Sequence, residues 1–99
     1  MARVEWAEEA VLNLDRLIVT HSLPANTRER VKHSLQPLEL FPLLGATIAR
    51  RAGHEIRFVL GPWPWMIVTY TTFEADDLVV VLSVEDGRSA VSSTATRTR

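Results

Sequence analysis

Ile67-Val68-Thr69-Tyr70-Thr71-Thr72-Phe73, then Glu74-Ala75-Asp76-Asp77, then Leu78-Val79-Val80-Val81-Leu82 is the stretch that decides the fold. Its first part is β-branched and aromatic, and from Trp65 it has a period of two. Trp65, Ile67 and Thr69 alternate with Met66, Val68 and Tyr70, the signature of a strand with two unlike faces. Glu74 to Asp77 is a polar connection of hairpin length. The unbroken run from Leu78 to Leu82 predicts a strand covered on both faces or nearly so. Ser83-Val84-Glu85 ends it, and Asp86-Gly87 turns the chain.

Working upstream, Gly61-Pro62 is a turn signal. Before it, Ile56, Phe58 and Leu60 alternate with Glu55, Arg57 and Val59, a further strand. Residues 46–53 are ambiguous: Ala46-Thr47-Ile48-Ala49 reads as a short edge strand, and Arg50, Arg51 and Gly53 as an exposed turn. Nearer the N-terminus the period becomes helical. Ala10, Leu14, Leu17 and Ile18 share a face, with Val11 beside them. Glu8 and Glu9 suit the positive end of the helix dipole, so a helix is expected at about 7–20. Ser22-Leu23-Pro24 breaks and restarts the chain: Ser22 can cap the second helix and Pro24 suits its first turn. Val31, Leu35 and Leu38 recur at i, i+4 and i+7, which predicts a second helix to about Phe41. Pro37 should kink it or end it early. Arg3-Val4-Glu5-Trp6 alternates and reads as an initial strand.

The expected architecture is α+β: an N-terminal strand and a two-helix hairpin packed on a small antiparallel β-sheet. One face of the sheet should meet the helices, and the other should be partly open. Residues 1–88 read as a single domain. Residues 89–99 are Ser, Thr, Ala and Arg with almost nothing to bury, and read as a disordered tail.

The totals bound the function. A chain of 99 residues buries only about two-thirds of its unfolded surface, enough for one core. With no cysteine, disulfides, thiolate metal sites and cysteine catalysis are excluded. The absence of such staples favours the cytoplasm. No stretch approaches the ~20 apolar residues of a membrane span, so no membrane association is expected. The net charge of −1 speaks against sequence-independent nucleic-acid binding, which draws on a basic excess. A local basic patch stays open.

Each candidate residue has a functional and a plain reading. Arg57 and Arg88 would face phosphate or an acidic partner, or be solvated charges beside Glu55, Glu85 and Asp86. Trp63 and Trp65 would stack a base or anchor an interface, or pack in the core. Pro62 and Pro64 bracket Trp63 and keep it from central pairing, which makes it the more exposed of the two. Arg28, Arg30 and Lys32 form a basic stripe on the second helix, an interface or an ordinary wet face. His21, His33 and His54 lack metal-ligand spacing, and no metal or other cofactor is expected. There is no phosphate loop or nucleophile elbow.

Taken in order, these pieces resemble a known family. They are Val4-Glu5-Trp6, then Ala7 and Ala10 opening a helix, and the helix exit Leu38-Glu39-Leu40-Phe41-Pro42-Leu43-Leu44-Gly45. Next come Ile56-Arg57-Phe58-Val59-Leu60-Gly61, an aromatic-rich strand ending at Tyr70, and Val79 to Val84 followed by Arg88. Over about residues 3–88 the chain resembles the RelE/ParE superfamily of type II toxins. The resemblance implies a toxin neutralised by a cognate antitoxin, either as a possible homodimer or within a toxin–antitoxin hetero-oligomer. RelE-like members cleave mRNA on the ribosome, and ParE-like members bind DNA gyrase. On this resemblance Arg57 and Arg88 match the basic site residues, catalytic only if the chain is an RNase. Trp63, Trp65, Arg28, Arg30 and Lys32 are the expected target- or antitoxin-binding residues. The arginine that follows the aromatic on the middle strand is replaced by Met66, and Glu85-Asp86 stands where many members have a basic group.

RNA cleavage needs cations to stabilise phosphorane charge and a general acid or base. Two arginines are a poor set, because arginine keeps its proton. The resemblance therefore implies a ParE-like toxin first, a ribosome-dependent mRNA endoribonuclease second, and a non-toxic binding protein third. The antitoxin is expected in the groove between helices and sheet or across the open sheet face, because so small a core has many apolar residues to cover.

Overall fold

A computed structural model describes residues 1–88; the expected tail at 89–99 lies outside the described residues. The elements are β1 (Arg3–Trp6), α1 (Glu8–Thr20), α2 (Thr27–Ser34), α3 (Pro37–Leu40), β2 (Ala46–Arg51), β3 (His54–Leu60), β4 (Met66–Phe73) and β5 (Leu78–Asp86). A turn of 3-10 helix, Glu74–Asp76, joins β4 to β5, and Asp77 adopts a left-handed conformation to close it.

α1 carries Glu8 and Glu9 in its first turn and buries Ala10 and Leu14. Its C-terminus differs from the sequence expectation. Ser22 was expected to cap the second helix, but it closes the first from the left-handed region, at φ 50°. The Leu23 N–H donates to the Ile18 carbonyl at 3.0 Å, and the Ser22 N–H to that of Val19 at 3.3 Å. This is a Schellman closure, which favours glycine because a Cβ is strained there. Ser22→Gly should therefore stabilise the chain by up to about 1 kcal/mol. A thermal melt should show a rise of roughly 4–8 °C.

Pro37 acts as expected. α2 ends at Ser34, and Pro37 opens the single turn of α3 instead of interrupting one long helix. α2 also starts later than predicted, at Thr27, whose buried hydroxyl donates to the Pro24 carbonyl at 2.6 Å.

The sheet order is β1-β5-β4-β3-β2. Three pairings are antiparallel, but β1 runs parallel to β5, with Arg3 opposite Leu78 and Trp6 opposite Val81. The sheet is thus mixed, not purely antiparallel, because the helices intervene between β1 and the hairpins and carry the chain back across the sheet. Arg50 and Arg51 belong to β2, and the turn is Ala52-Gly53.

All three helices contribute buried residues to the core on one face of the sheet. Met66, Val68 and Tyr70 of β4 and Val79, Val81 and Val84 of β5 meet Leu14, Val31, Leu35 and Leu38 there. The spacing from Val81 to Val84 breaks the period of two. A bulge beside Thr69 and Tyr70 leaves Leu82 without a partner and re-aims the end of β5. The 78–82 run is therefore covered on one face only: Val79 and Val81 are buried, while Leu78, Val80 and Leu82 are half-buried. Among the described residues no helix is long and apolar enough to cross a membrane.

Candidate functional site

Two clusters hold most of the predicted site residues, and they lie apart. The first is built where β3 turns into β4. Trp63 and Trp65 sit in that turn, not in the strand, and their rings stack at 5.9 Å. The Arg30 guanidinium lies 4.5 Å from the Trp63 ring centre, and Arg88 lies 5.3 Å from that of Trp65. His21, at the end of α1, adds a ring 4.9 Å from Trp65. Both indoles are half-buried against the core. Trp63 is thus not an open platform for a base: its ring is already engaged by Arg30 and Trp65. The stack ties α1, α2 and the end of β5 to one turn.

Asp86 anchors this cluster. The sequence places it in a turn with Gly87, but it is the last residue of β5 and is only 8% exposed. Its carboxylate accepts from the Arg88 backbone N–H at 2.9 Å and from the guanidinium at 3.2 Å through both Nε and Nη2. His21 Nε2 lies 3.3 Å from its Oδ2. The Arg88 hydrogen bonds hold the Asp86 carboxyl below the usual carboxylate range, against the opposing effect of burial. A depressed pKa adds stability above the unfolded value, about 4, that is lost as pH falls through the folded value. Melting temperature should therefore fall as the solution is acidified below that range, and Asp86→Asn should flatten this part of the profile. An unchanged profile in the variant would remove Asp86 from the account.

The second cluster surrounds Arg57, which pairs across β3–β4 with the buried Tyr70. Its Nη1 donates to the Gly45 carbonyl at 2.7 Å and to the Leu43 carbonyl at 3.2 Å, and Nη2 lies 3.4 Å from Glu55 Oε1. Its side chain is 15% exposed. Thr47 donates to Glu55 Oε2 at 2.7 Å, and with the nearby arginines this holds the Glu55 carboxyl below its ordinary pKa. A cleft of about 310 Å³ opens here, lined by Arg50, His54, Glu55 and Arg57 among others. Burial pushes the Tyr70 hydroxyl up, although the Gly45 N–H donates to it at 2.8 Å.

Arg57 and Arg88 do not converge. Asp86 pairs with Met66, and Arg57 pairs with Tyr70, four residues along β4 or roughly 13 Å. The basic stripe is divided as well. Arg28 pairs with Asp15, Arg30 covers Trp63, and Lys32 lines a cleft of about 600 Å³ with Val4, Trp6 and Leu35.

The backbone arrangement has counterparts among solved structures. An isolated RelE toxin from E. coli aligns at a TM-score of 0.61 and 20% identity, over 99% of this chain and 98% of that one. The chain has the RelE fold. The intact RelBE toxin–antitoxin complex of E. coli aligns at TM-score 0.61 and 17% identity, covering 87% and 96% of the two chains. The archaeal RelE–RelB complex of Pyrococcus horikoshii OT3 gives 0.61, 15%, 87% and 94%. No family model and no curated protein matches the sequence. The RelE fold thus occurs here at 15–20% identity. The fold expected from the resemblance is present in its order of strand, helices and hairpins.

Sequence reasoning missed Asp86, His21 and Tyr70 as organising residues. Asp86-Gly87 looks like a turn, His21 like a solvated loop residue, and Tyr70 like one more strand aromatic. Nothing in the local pattern signals their distant partners.

Proposed function

We propose that this chain is the toxin of a bacterial type II toxin–antitoxin pair. It acts in the cytoplasm by binding a cellular target, DNA gyrase in the first instance, and a cognate antitoxin neutralises it. The RelE fold supports the toxin reading. The observation that favours binding over cleavage is the commitment of Arg57 and Arg88. One guanidinium is held by two carbonyls and Glu55, the other by Asp86 and Trp65. Neither is poised with the other over a single phosphate.

The cleft along β1 supports the antitoxin's place. It runs between β1 and the helices, and it presents Val4 and Trp6 beside Lys32, Gln36 and Glu39. A half-buried tryptophan in such a groove is the usual anchor of an interface.

Tight induction of the chain alone in a bacterial culture should arrest growth. Purified protein should inhibit gyrase supercoiling and leave mRNA intact on ribosomes. Normal supercoiling at excess protein would overturn the gyrase target. A second reading, ribosome-dependent mRNA cleavage, is favoured by the cleft that places His54 and Glu55 beside Arg57, since these supply the titratable groups that two arginines lack. Cleavage abolished by Arg57→Ala in a stably folded variant would select it.

A further inference from the structure

We propose that the loop at residues 40–44 is a docking surface for a basic amphipathic helix of another protein. Leu40, Phe41, Leu43 and Leu44 are each more than half exposed, four large apolar side chains within five consecutive residues. Single exposed leucines are ordinary, but a contiguous run marks an interaction site. The loop is also firmly held. The Phe41 N–H donates to the Pro37 carbonyl at 2.8 Å, and the Leu44 N–H to that of Phe41 at 3.0 Å. The Gly45 N–H donates to Tyr70 Oη at 2.8 Å. The Leu43 and Gly45 carbonyls both accept from Arg57, whose guanidinium thus braces the loop. Folding has already ordered this backbone, so little freedom is left to lose on binding.

Those hydrogen bonds also decide the form of the occupant. The N–H groups of Phe41, Leu44 and Gly45 and the carbonyls of Phe41, Leu43 and Gly45 are taken. They are not free to pair with an extended chain. The occupant must supply side chains and satisfy its own backbone, which a helix does.

Its charge follows from the rim. The Ala2 N–H donates to the Glu39 carbonyl at 2.8 Å, and the next residue, Arg3, donates through its N–H to the Asp77 carbonyl at 2.9 Å. Glu39 and the Glu74–Asp77 link therefore flank the start of β1. At the far end of the loop, Leu43 and Glu74 line one cleft. Glu74, Asp76 and Asp77 are exposed and Glu39 is half-buried. Against these four carboxylates stand the N-terminal ammonium, 3.5 Å from Asp77, and Arg50 in the cleft. Arg3 is met by Glu5, and Arg57 by Glu55. The rim is net acidic, so the matching helix borders its apolar stripe with lysine or arginine. A second copy would bring the same acidic rim, and anionic lipid or nucleic acid would be repelled. Residues 89–99 hold no apolar side chain larger than Val91 to cover the patch.

The inference does not depend on the toxin reading, and none of residues 40–44 lines the cleft along β1. It is tested on the purified chain. The probe is a synthetic leucine–lysine peptide that forms an amphipathic helix. Saturable binding is expected, with NMR shifts confined to residues 39–45 and 74–77. A scrambled peptide of the same composition and a leucine–glutamate helix should not bind. Phe41→Ser with Leu44→Ser changes only exposed side chains; the melting temperature should hold while affinity falls about tenfold. Glu74→Lys with Asp76→Lys should weaken the leucine–lysine helix and admit the leucine–glutamate one. The proposal is overturned by equal binding of the scrambled peptide, by shifts elsewhere, or by full affinity in the serine variant. Dimers of the free chain that the serine variant dissolves would instead assign the patch to a second copy. Phosphatidylserine vesicles or an RNA oligonucleotide binding through the patch, with no binding of the peptide, would also sink it. So would a spin label on Ser93→Cys that broadens the Leu43 signals of the free chain, since the chain's own C-terminal residues would then cover the loop.

Discussion

Gly45→Ala is expected to lower the melting temperature by roughly 15 °C. Gly45 is buried where the chain leaves α3 and enters β2. A Cβ built there would press on the Phe58 carbonyl and stand 2.8 Å from Tyr70 Oη and 2.9 Å from Tyr70 Cε1. Backbone cannot yield as a flexible side chain does. Two hydrogen bonds depend on the same spot: Gly45 N–H to Tyr70 Oη, and Arg57 to the Gly45 carbonyl. Overpacking and a fully buried Tyr70 left without its donor together cost about 3 kcal/mol. That is a large part of the 5–15 kcal/mol that stabilises a typical domain. Gly53→Ala is the control. A Cβ there meets nothing within 4 Å, but φ is +80°, so only the backbone penalty of about 1 kcal/mol applies. Thermal denaturation followed by circular dichroism compares the two. Similar losses would mean that the packing at Gly45 is not the cause.

Met66→Arg should be more damaging still. The resemblance leaves this position without its usual arginine, which invites the idea that activity could be restored by returning one. The structure argues otherwise. Met66 is 0% exposed and sits on the helix-facing side of β4 with Val68 and Tyr70. A guanidinium there would be buried without a carboxylate, at a cost of about 5 kcal/mol. The variant is expected to be insoluble or to melt without cooperativity, whereas Met66→Leu should change stability by less than about 1.5 kcal/mol. A stable Met66→Arg protein that cleaved mRNA would reverse the preference for a binding toxin.

Much of the fold was legible because it rests on local periodicity. The apolar stripe of α1, the alternation in β3 and β4 and the polar link at Glu74–Asp77 each declare themselves within a dozen residues. What stayed hidden depends on partners far away in sequence. The parallel pairing of β1 with β5 leaves no mark on Arg3–Trp6. The bulge at Leu82 turns an apparently two-faced apolar run into a one-faced strand. Ser22 resembles an N-cap in sequence, and only the backbone reveals a C-terminal closure. The candidate site was legible as residue types but not as geometry. Arg57, Arg88, Trp63 and Trp65 were all named, yet their pairing with Gly45, Asp86 and Arg30 could not be read from spacing. Those pairings decide which of the charges is available to a partner.

The placement of β1 at the sheet edge also sets a schedule for synthesis. Its only partner among the described residues, β5, spans Leu78–Asp86, so β1 pairs with a strand made long after it. Until the ribosome has delivered β5, β1 lacks the strand it pairs with among the described residues. Closing a loop of this length also slows folding. A copy that stops short of β5 therefore leaves one wall of the groove without its support, and a neutralising partner would be received there only once that strand is in place.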